Sequence, residues 1–248
     1  MEQKSKITTV LIAPLDWGLG HATRCIPIIR IMNNSGWRVI LAADGNTATL
    51  LKNEFPDLLL LSLKGYNIYY STKKWMLSFT ILLQVPKILS AIKNEHRWLQ
   101  NKIDTHQIDL VISDNRYGLH SSKIPSVFIT HQLTIKMPFA WLENWVQKIN
   151  YQYIQKFTQC WVPDFADTKN IAGILSHPKI LPKIPTNYIG PLSRFTTKEK
   201  VAFQYTFCIL LSGPEPQRTI LEKIILNEIA TLNEKIILVR GKPNGTDI

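Results

Sequence analysis

A doubly wound α/β fold on a parallel sheet is predicted by three features of the chain. Short apolar runs alternate with segments of helical periodicity along its 248 residues. Several runs are almost unbroken in apolar character, as strands buried on both faces are. The first run leads directly into a glycine turn and a helix through Pro14-Leu15-Asp16-Trp17-Gly18-Leu19-Gly20-His21, the connection on which strand–helix–strand units are built.

Each element follows in order. Residues 8–13 form the first strand and 21–35 the first helix, with Ile26, Ile28, Ile29, Ile31 and Met32 as its apolar positions. Residues 37–42, with β-branched Val39 and Ile40, form the second strand. A short helix over 45–53 ends before Pro56, and 58–63 is a third strand buried on both faces. Residues 73–100 are helical, with Pro86 as a kink or break. Strands follow over 109–113 and 126–130. A helix over 141–157 carries Leu142, Trp145, Val146, Ile149 and Tyr153 on one face, and a short sixth strand covers 160–162.

The character changes between 176 and 200, where Pro178, Pro182, Pro185 and Pro191 interrupt any period. This is an interdomain crossing. A second α/β unit follows: a strand over 207–211, a turn over 212–218, a helix over 219–232 with Leu221, Ile224, Ile225, Ile229 and Leu232 apolar, and a strand over 235–240. The expected division is an N-terminal domain over 1–190, a crossing that extends over 176–204, and the start of a C-terminal domain over 205–248. A single two-stranded unit is marginal in water. The second domain is therefore expected to be incomplete, and the chain to be a fragment or a truncated product.

Bulk properties exclude several classes. A hydrophobic content of 45% with 19% charged residues is that of an ordinary globular protein with a sizeable core. No run approaches the roughly 20 apolar residues of a membrane span, and the first residues lack the apolar core of a signal peptide. A cytoplasmic protein is expected. Cys25, Cys160 and Cys208 are far apart and lack CxxC spacing, which argues for reduced thiols and against a disulfide framework or zinc. His96, His106, His120 and His177 show no metal-ligand spacing, so no metal is expected. The net charge is +11, and seven basic side chains stand against one acidic between 64 and 102. Such a surface attracts phosphate groups. No recognition helix, zinc finger or RNP-like pattern accompanies it, which speaks against nucleic acid. The apolar run over 75–83, flanked by Lys73, Lys74 and Lys87, either lies at an anionic membrane surface or is a buried core helix.

Ligands of such sheets bind beyond the carboxyl ends of the strands, which selects the candidate residues. Gly18 and Gly20 either let a substrate approach the backbone or merely make the turn. His21, at the start of the helix, is either a base that titrates near working pH or a structural histidine. Asp114, Asn115 and Arg116 leave the fourth strand; Asp114 either orients a hydroxyl, pairs with Arg116, or caps a turn. His131 ends the fifth strand and either lines the acceptor side or is structural. Ser212, Gly213 and Arg218 form the first turn of the second unit, either a phosphate site or an ordinary turn.

The turn Gly18-Leu19-Gly20-His21, the later Gly36-Trp37-Arg38-Val39 and the turn Ser212-Gly213-Pro214-Glu215-Pro216-Gln217-Arg218 resemble those of family 28-type glycosyltransferases of GT-B architecture, which include the lipid II-forming N-acetylglucosaminyltransferases. The resemblance spans nearly the whole chain as architecture. It implies two Rossmann-like domains and transfer of a sugar from a nucleotide-diphosphate donor, a UDP-sugar, to an acceptor that is lipid-linked or a cell-envelope glycan. By resemblance His21 is the base, Gly18, Gly20, Asp114, Asn115, Arg116 and His131 lie on the acceptor side, and Ser212, Gly213 and Arg218 hold the donor diphosphate without a metal. It also implies work at the inner face of the membrane. The base and sugar subsites of such enzymes lie in later parts of the second domain, beyond the residues of this sequence. Two alternatives stand: an inactive binding domain, and an enzyme like the UDP-N-acetylglucosamine 2-epimerases.

Overall fold

The structure is a computed structural model that describes residues 7–66, 84–137, 139–195, 202–213 and 215–242. Its main body is a seven-stranded parallel sheet in the order β3-β2-β1-β4-β5-β6-β7. The strands are β1 (Thr9–Pro14), β2 (Arg38–Ala43), β3 (Leu59–Ser62), β4 (Leu110–Asp114), β5 (Ser126–Ile129), β6 (Gln159–Val162) and β7 (Thr186–Tyr188). Among the described residues four α-helices accompany them: α1 (Leu19–Asn34), α2 (Gly45–Glu54), α3 (Val85–His106) and α4 (Ala140–Ile154). The chain builds outward from β1 to β3, then returns to β4 on the other side of β1. Strand order therefore reverses between β1 and β4.

The alternation of side chains along β1 divides the core. Val10 and Ile12 pack with Ile26 and Ile29 of α1 and Leu51 of α2, whereas Leu11 and Ala13 pack with Leu99 and Ile103 of α3. A third cluster joins Phe128, Cys160 and Val162 to Ile154 of α4. Each fully buried aliphatic side chain contributes about 1.5–3 kcal/mol. The central strands β1, β2 and β4 are almost wholly buried, as their unbroken apolar runs require.

Three expectations are corrected, on β3, on α4 and in the crossing. Residues 58–63 read as a strand buried on both faces, but β3 is the edge of the sheet and leaves Leu59 exposed. Pro86 stands in the first turn of α3, where its missing N–H costs nothing. The expected helical residues 73–83, and the apolar run with them, lie outside the described residues. On α4 the buried positions are Asn150 and Ile154, while Trp141 and Trp145 are exposed. The crossing region holds a strand of its own, β7, which pairs with β6. Its signal was hidden because only three residues pair, between prolines. After β7 the chain returns over α1 and α2, where Arg194 donates to Glu54 and Arg30 donates to the Arg194 carbonyl.

The second unit is strand, helix, strand: β8 (Phe207–Leu210), α5 (Gln217–Ile229) and β9 (Ile236–Val239). β8 and β9 pair in parallel as a two-stranded sheet.

One buried ion pair ties β4 to α3. Arg116 is fully buried and donates to Glu95 at 2.8 Å, to the Pro14 carbonyl at 2.9 Å and to the carbonyls of Leu63 and Lys64. Glu95 also accepts from Tyr66 Oη at 2.8 Å and from the Gly118 amide at 3.1 Å. Gly118 permits this approach, since a Cβ there would stand 2.3 Å from the Ile92 carbonyl oxygen. Removing one partner leaves a buried charge without compensation. Arg116→Ala is expected to lower unfolding free energy by about 3–5 kcal/mol, measured by urea denaturation at neutral pH.

Candidate functional site

The carboxyl ends of β1, β4 and β5 share one rim of the sheet, and the β1–α1 turn rises from it at the reversal of strand order. Ligands of open α/β sheets bind at this point. Gly18 takes φ +83° with open space around it, a conformation that L side chains rarely adopt. α1 then begins at Leu19 with no side-chain cap and no acid in its first turn. The first amides of a helix have no partner within the helix and carry the positive end of its dipole. Gly20 also has open space at its Cβ position.

The centre of the site is Asp114, the last residue of β4, which stands opposite Pro14 of β1 and is fully buried. Both its oxygens are held by Arg24, through Nε and Nη2. His21 Nδ1 lies 3.0 Å from Asp114 Oδ1, and the Cys25 thiol lies 3.6 Å from Oδ2. Arg24 Nη1 lies 2.7 Å from His131 Nδ1, and Arg24 Nη2 lies 2.7 Å from His21 Nδ1. His21, Arg24 and Cys25 meet one carboxylate because residues three and four apart share a helix face.

The electrostatics follow from this contact set. Burial works against the Asp114 carboxylate, but the hydrogen bonds and charges of Arg24 and His21 outweigh it and hold its pKa below the ordinary carboxylate range. Burial likewise opposes the Arg24 cation, and Asp114 more than offsets it, so Arg24 is raised. The Cys25 thiol is pushed well above its ordinary value by burial and by Asp114, which makes it a poor nucleophile. Burial lowers His131, and the charges of Arg24 and His21 lower it further.

His21 Nδ1 has a carboxylate acceptor on one side and a guanidinium donor on the other. With a proton on Nδ1 it donates to Asp114, and Nε2 keeps a free lone pair. Neither His21 Nε2 nor His131 Nε2 has a hydrogen-bond partner among the described residues, and neither is a buried unpaired atom. Both are open to a ligand.

Of the residues selected from the sequence, His21, Asp114 and His131 come together, with Gly18 and Gly20 in the adjoining turn. Asn115 follows Asp114 with φ 55°, a conformation Asn tolerates, and its amide donates to Ile129 at 3.1 Å. Arg116 is corrected: it was expected on the acceptor side, but its guanidinium lies inside the protein against Glu95. Residues two apart would share a face of a continuing strand, but β4 ends at Asp114 and the left-handed Asn115 turns the chain, so that Arg116 enters a different environment. Arg218 is corrected as well. It was expected to grip phosphate, yet it is buried and bonded to Glu215 at 2.7 Å, Glu222 at 2.9 Å, Thr219 at 2.7 Å and the Arg240 carbonyl at 3.2 Å. Ser212 and Gly213 are exposed at the end of β8, with Gly213 at φ 124°. Arg24 and Cys25 were missed, although their spacing from His21 was legible.

Among the described residues, no group of three or more His, Cys, Asp or Glu is placed to hold a metal, and Cys25, Cys160 and Cys208 are free thiols. No described helix is long and apolar enough to cross a membrane. In the basic segment, Glu95 faces Arg116 in the interior, and Lys87, Lys93 and Arg97 are exposed.

Neither a protein-family model nor a curated protein sequence matches the chain. Solved structures do match its fold. UGT2 of Phytolacca americana, solved with UDP-2-fluoro-glucose and pterostilbene, aligns with a TM-score of 0.54 at 10% identity over 94% of this chain and 71% of that one. The glycosyltransferase SnogD from Streptomyces nogalater aligns with a TM-score of 0.52 at 12% identity over 95% of this chain and 67% of that one. UGT71G1 of Medicago truncatula, solved with UDP-glucose, aligns with a TM-score of 0.52 at 11% identity over 96% of this chain and 67% of that one. The chain therefore has the GT-B fold, with a complete Rossmann-like sheet followed by a second α/β unit. It spans about two thirds of those three structures.

A carboxylate with a depressed pKa stabilises the fold above its unfolded value of about 3.9, and that contribution is lost as pH falls through the folded pKa. Asp114→Asn leaves Arg24 uncompensated. The variant is expected to lose about 3–5 kcal/mol at pH 7 and to show a flatter loss of stability below about pH 4 than the parent. Urea denaturation at pH 7, 5, 4 and 3 measures both.

Proposed function

We propose that the protein is a glycosyltransferase that moves a sugar from a UDP-sugar donor to a hydroxyl of an acceptor, with His21 as general base. The observation that carries this reading is the His21–Asp114 contact of 3.0 Å at the strand-order reversal of a GT-B fold. In the Nδ1–H form, His21 donates to Asp114 and its Nε2 faces the ligand crevice. Nε2 takes the proton of the acceptor hydroxyl as the oxygen attacks the anomeric carbon. The bond from that carbon to the diphosphate oxygen breaks, and UDP leaves with the electron pair. Asp114 stabilises the imidazolium that forms.

The turn at Ser212 and Gly213 is the donor side of the proposal. With Arg218 engaged in its own ion pairs, backbone amides of this turn hold the diphosphate. No metal takes part; helix ends and amide donors meet the leaving charge. The acceptor is a glycan or lipid-linked sugar and the transferred group a hexose or N-acetylhexosamine. The exposed Lys87, Lys93 and Arg97 support a peripheral contact with an anionic membrane on its cytoplasmic side. The nucleotide-sugar complexes of the Phytolacca and Medicago structures support the donor class.

The test is UDP release by the full gene product from UDP-glucose and UDP-N-acetylglucosamine, with and without saccharide and polyprenyl-linked acceptors. Acceptor-dependent release supports transfer; conversion of one UDP-sugar into another without acceptor overturns it in favour of epimerisation. His21→Ala is expected to lower turnover about 10²–10⁴-fold while the protein stays folded by circular dichroism, Arg24 still holding Asp114. An unchanged rate removes His21 as the base.

A further inference from the structure

We propose that Arg24 is a positioning residue that locks His131 as an Nε2–H hydrogen-bond donor facing the ligand crevice, so that the two histidines of the site have opposite roles. The observation is one contact. Arg24 Nη1 lies 2.7 Å from His131 Nδ1. A guanidinium has five N–H donors and no acceptor, and it does not deprotonate in proteins. A hydrogen bond between these nitrogens therefore requires a lone pair on His131 Nδ1. The ring proton must then sit on Nε2.

His21 differs in having a choice. Its Nδ1 also lies 2.7 Å from an Arg24 nitrogen, Nη2, but Nη2 donates to Asp114 Oδ1, which lies 3.0 Å from the same Nδ1; a proton that Nδ1 donates to that oxygen frees Nε2 to accept. His131 has no such acceptor: Arg24 is its one hydrogen-bond partner among the described residues. Arg24 itself is fixed by the two oxygens of buried Asp114, so the donor aimed at His131 is held in place. The backbone holds the other side. The Thr130 amide donates to the Trp161 carbonyl at 3.1 Å, and the Gln132 amide donates to Thr130 Oγ1 at 3.0 Å. His131 is pinned between these two anchors. Burial and the charges of Arg24 and His21 favour its neutral form, against the weaker pull of Asp114 and Asp164.

A neutral imidazole with Nε2–H can donate to an oxygen but cannot take a proton there. It suits an oxygen that gains negative charge, whether on the sugar acceptor or on the departing diphosphate. The assignment of that oxygen rests on the sugar-transfer reading. The tautomer does not, because it follows from Arg24 alone.

Long-range ¹H–¹⁵N correlation spectra of ¹⁵N-histidine-labelled protein at pH 7 test the tautomer without any substrate. The expected result is an unprotonated His131 Nδ1 and a protonated Nε2. A protonated Nδ1 overturns the proposal. In the double variant Arg24→Met with Asp114→Asn, which removes both charges together, His131 is expected to become a mixture of tautomers; an unchanged tautomer shows that Arg24 does not set it and also overturns the proposal. Arg24→Lys retains the charge on a single flexible donor and is expected to restore part of the preference. For the donor role, His131→Phe is expected to lower kcat about 10²-fold, and His131→Gln, whose amide can reach the Nε2 position, to recover most of it with little change in KM. Equal losses in both variants remove the donor role. If the parent releases no UDP with any acceptor, the transfer reading fails while the spectra still decide the tautomer.

Discussion

A single buried carboxylate, that of Asp114, organises the ligand rim. It stands at the end of β4 where the two halves of the sheet diverge, with no exposure to solvent. An isolated carboxylate in such a place would cost several kcal/mol, so its partners are obligatory. They all come from elsewhere in the chain: Arg24, His21 and Cys25 from α1, with His131 joined through Arg24. The helix, the central strand and the β5 corner are thus held by a polar contact set rather than by apolar packing alone. The polarity of the rim and its rigidity have the same origin.

The neighbouring arginine illustrates how a strand end separates chemistry from architecture. Asp114 and Arg116 are two residues apart, and each is buried and charged. Asp114 meets α1 beside the open turn, whereas Arg116 meets Glu95 of α3 and three carbonyl groups. Burial against Glu95 removes Arg116 from the ligand rim, yet the pair fixes the loop that carries Asn115 and Tyr117, whose amide bonds Tyr66 at 3.1 Å. A buried ion pair is weak support for stability by itself. Its effect here is to fix which way the β4 end turns, and so where Asp114 points.

Most of the fold was legible because parallel sheets announce themselves. Six of the seven strands of the main sheet carry apolar runs, and each run lies within a residue or two of its strand. What was illegible has local causes. β7 pairs through three residues among prolines, too short for a periodic signal. Burial on both faces cannot be told from an edge position by hydrophobicity when, as at Leu59, the edge keeps apolar side chains. Tryptophans at helical spacing on α4 imitate a core face although they are exposed. In the site, His21, Asp114 and His131 could be chosen because strand ends and helix starts collect ligands in this topology. Arg116 and Arg218 could not be sorted from Arg24, because the sequence shows a charge but not the acid that claims it. All three are bonded to carboxylates, and only Arg24 stands among the open histidines.

That difference bears on how a base is maintained beside a cation. Arg24 neutralises Asp114 through both of its oxygens. Burial, with the charge of Arg24, also opposes a second proton on the His131 ring. A ligand that brings negative charge to the crevice, such as a diphosphate, offsets that charge. An anion at the rim then meets the fixed Arg24 cation beside a neutral His131 ring.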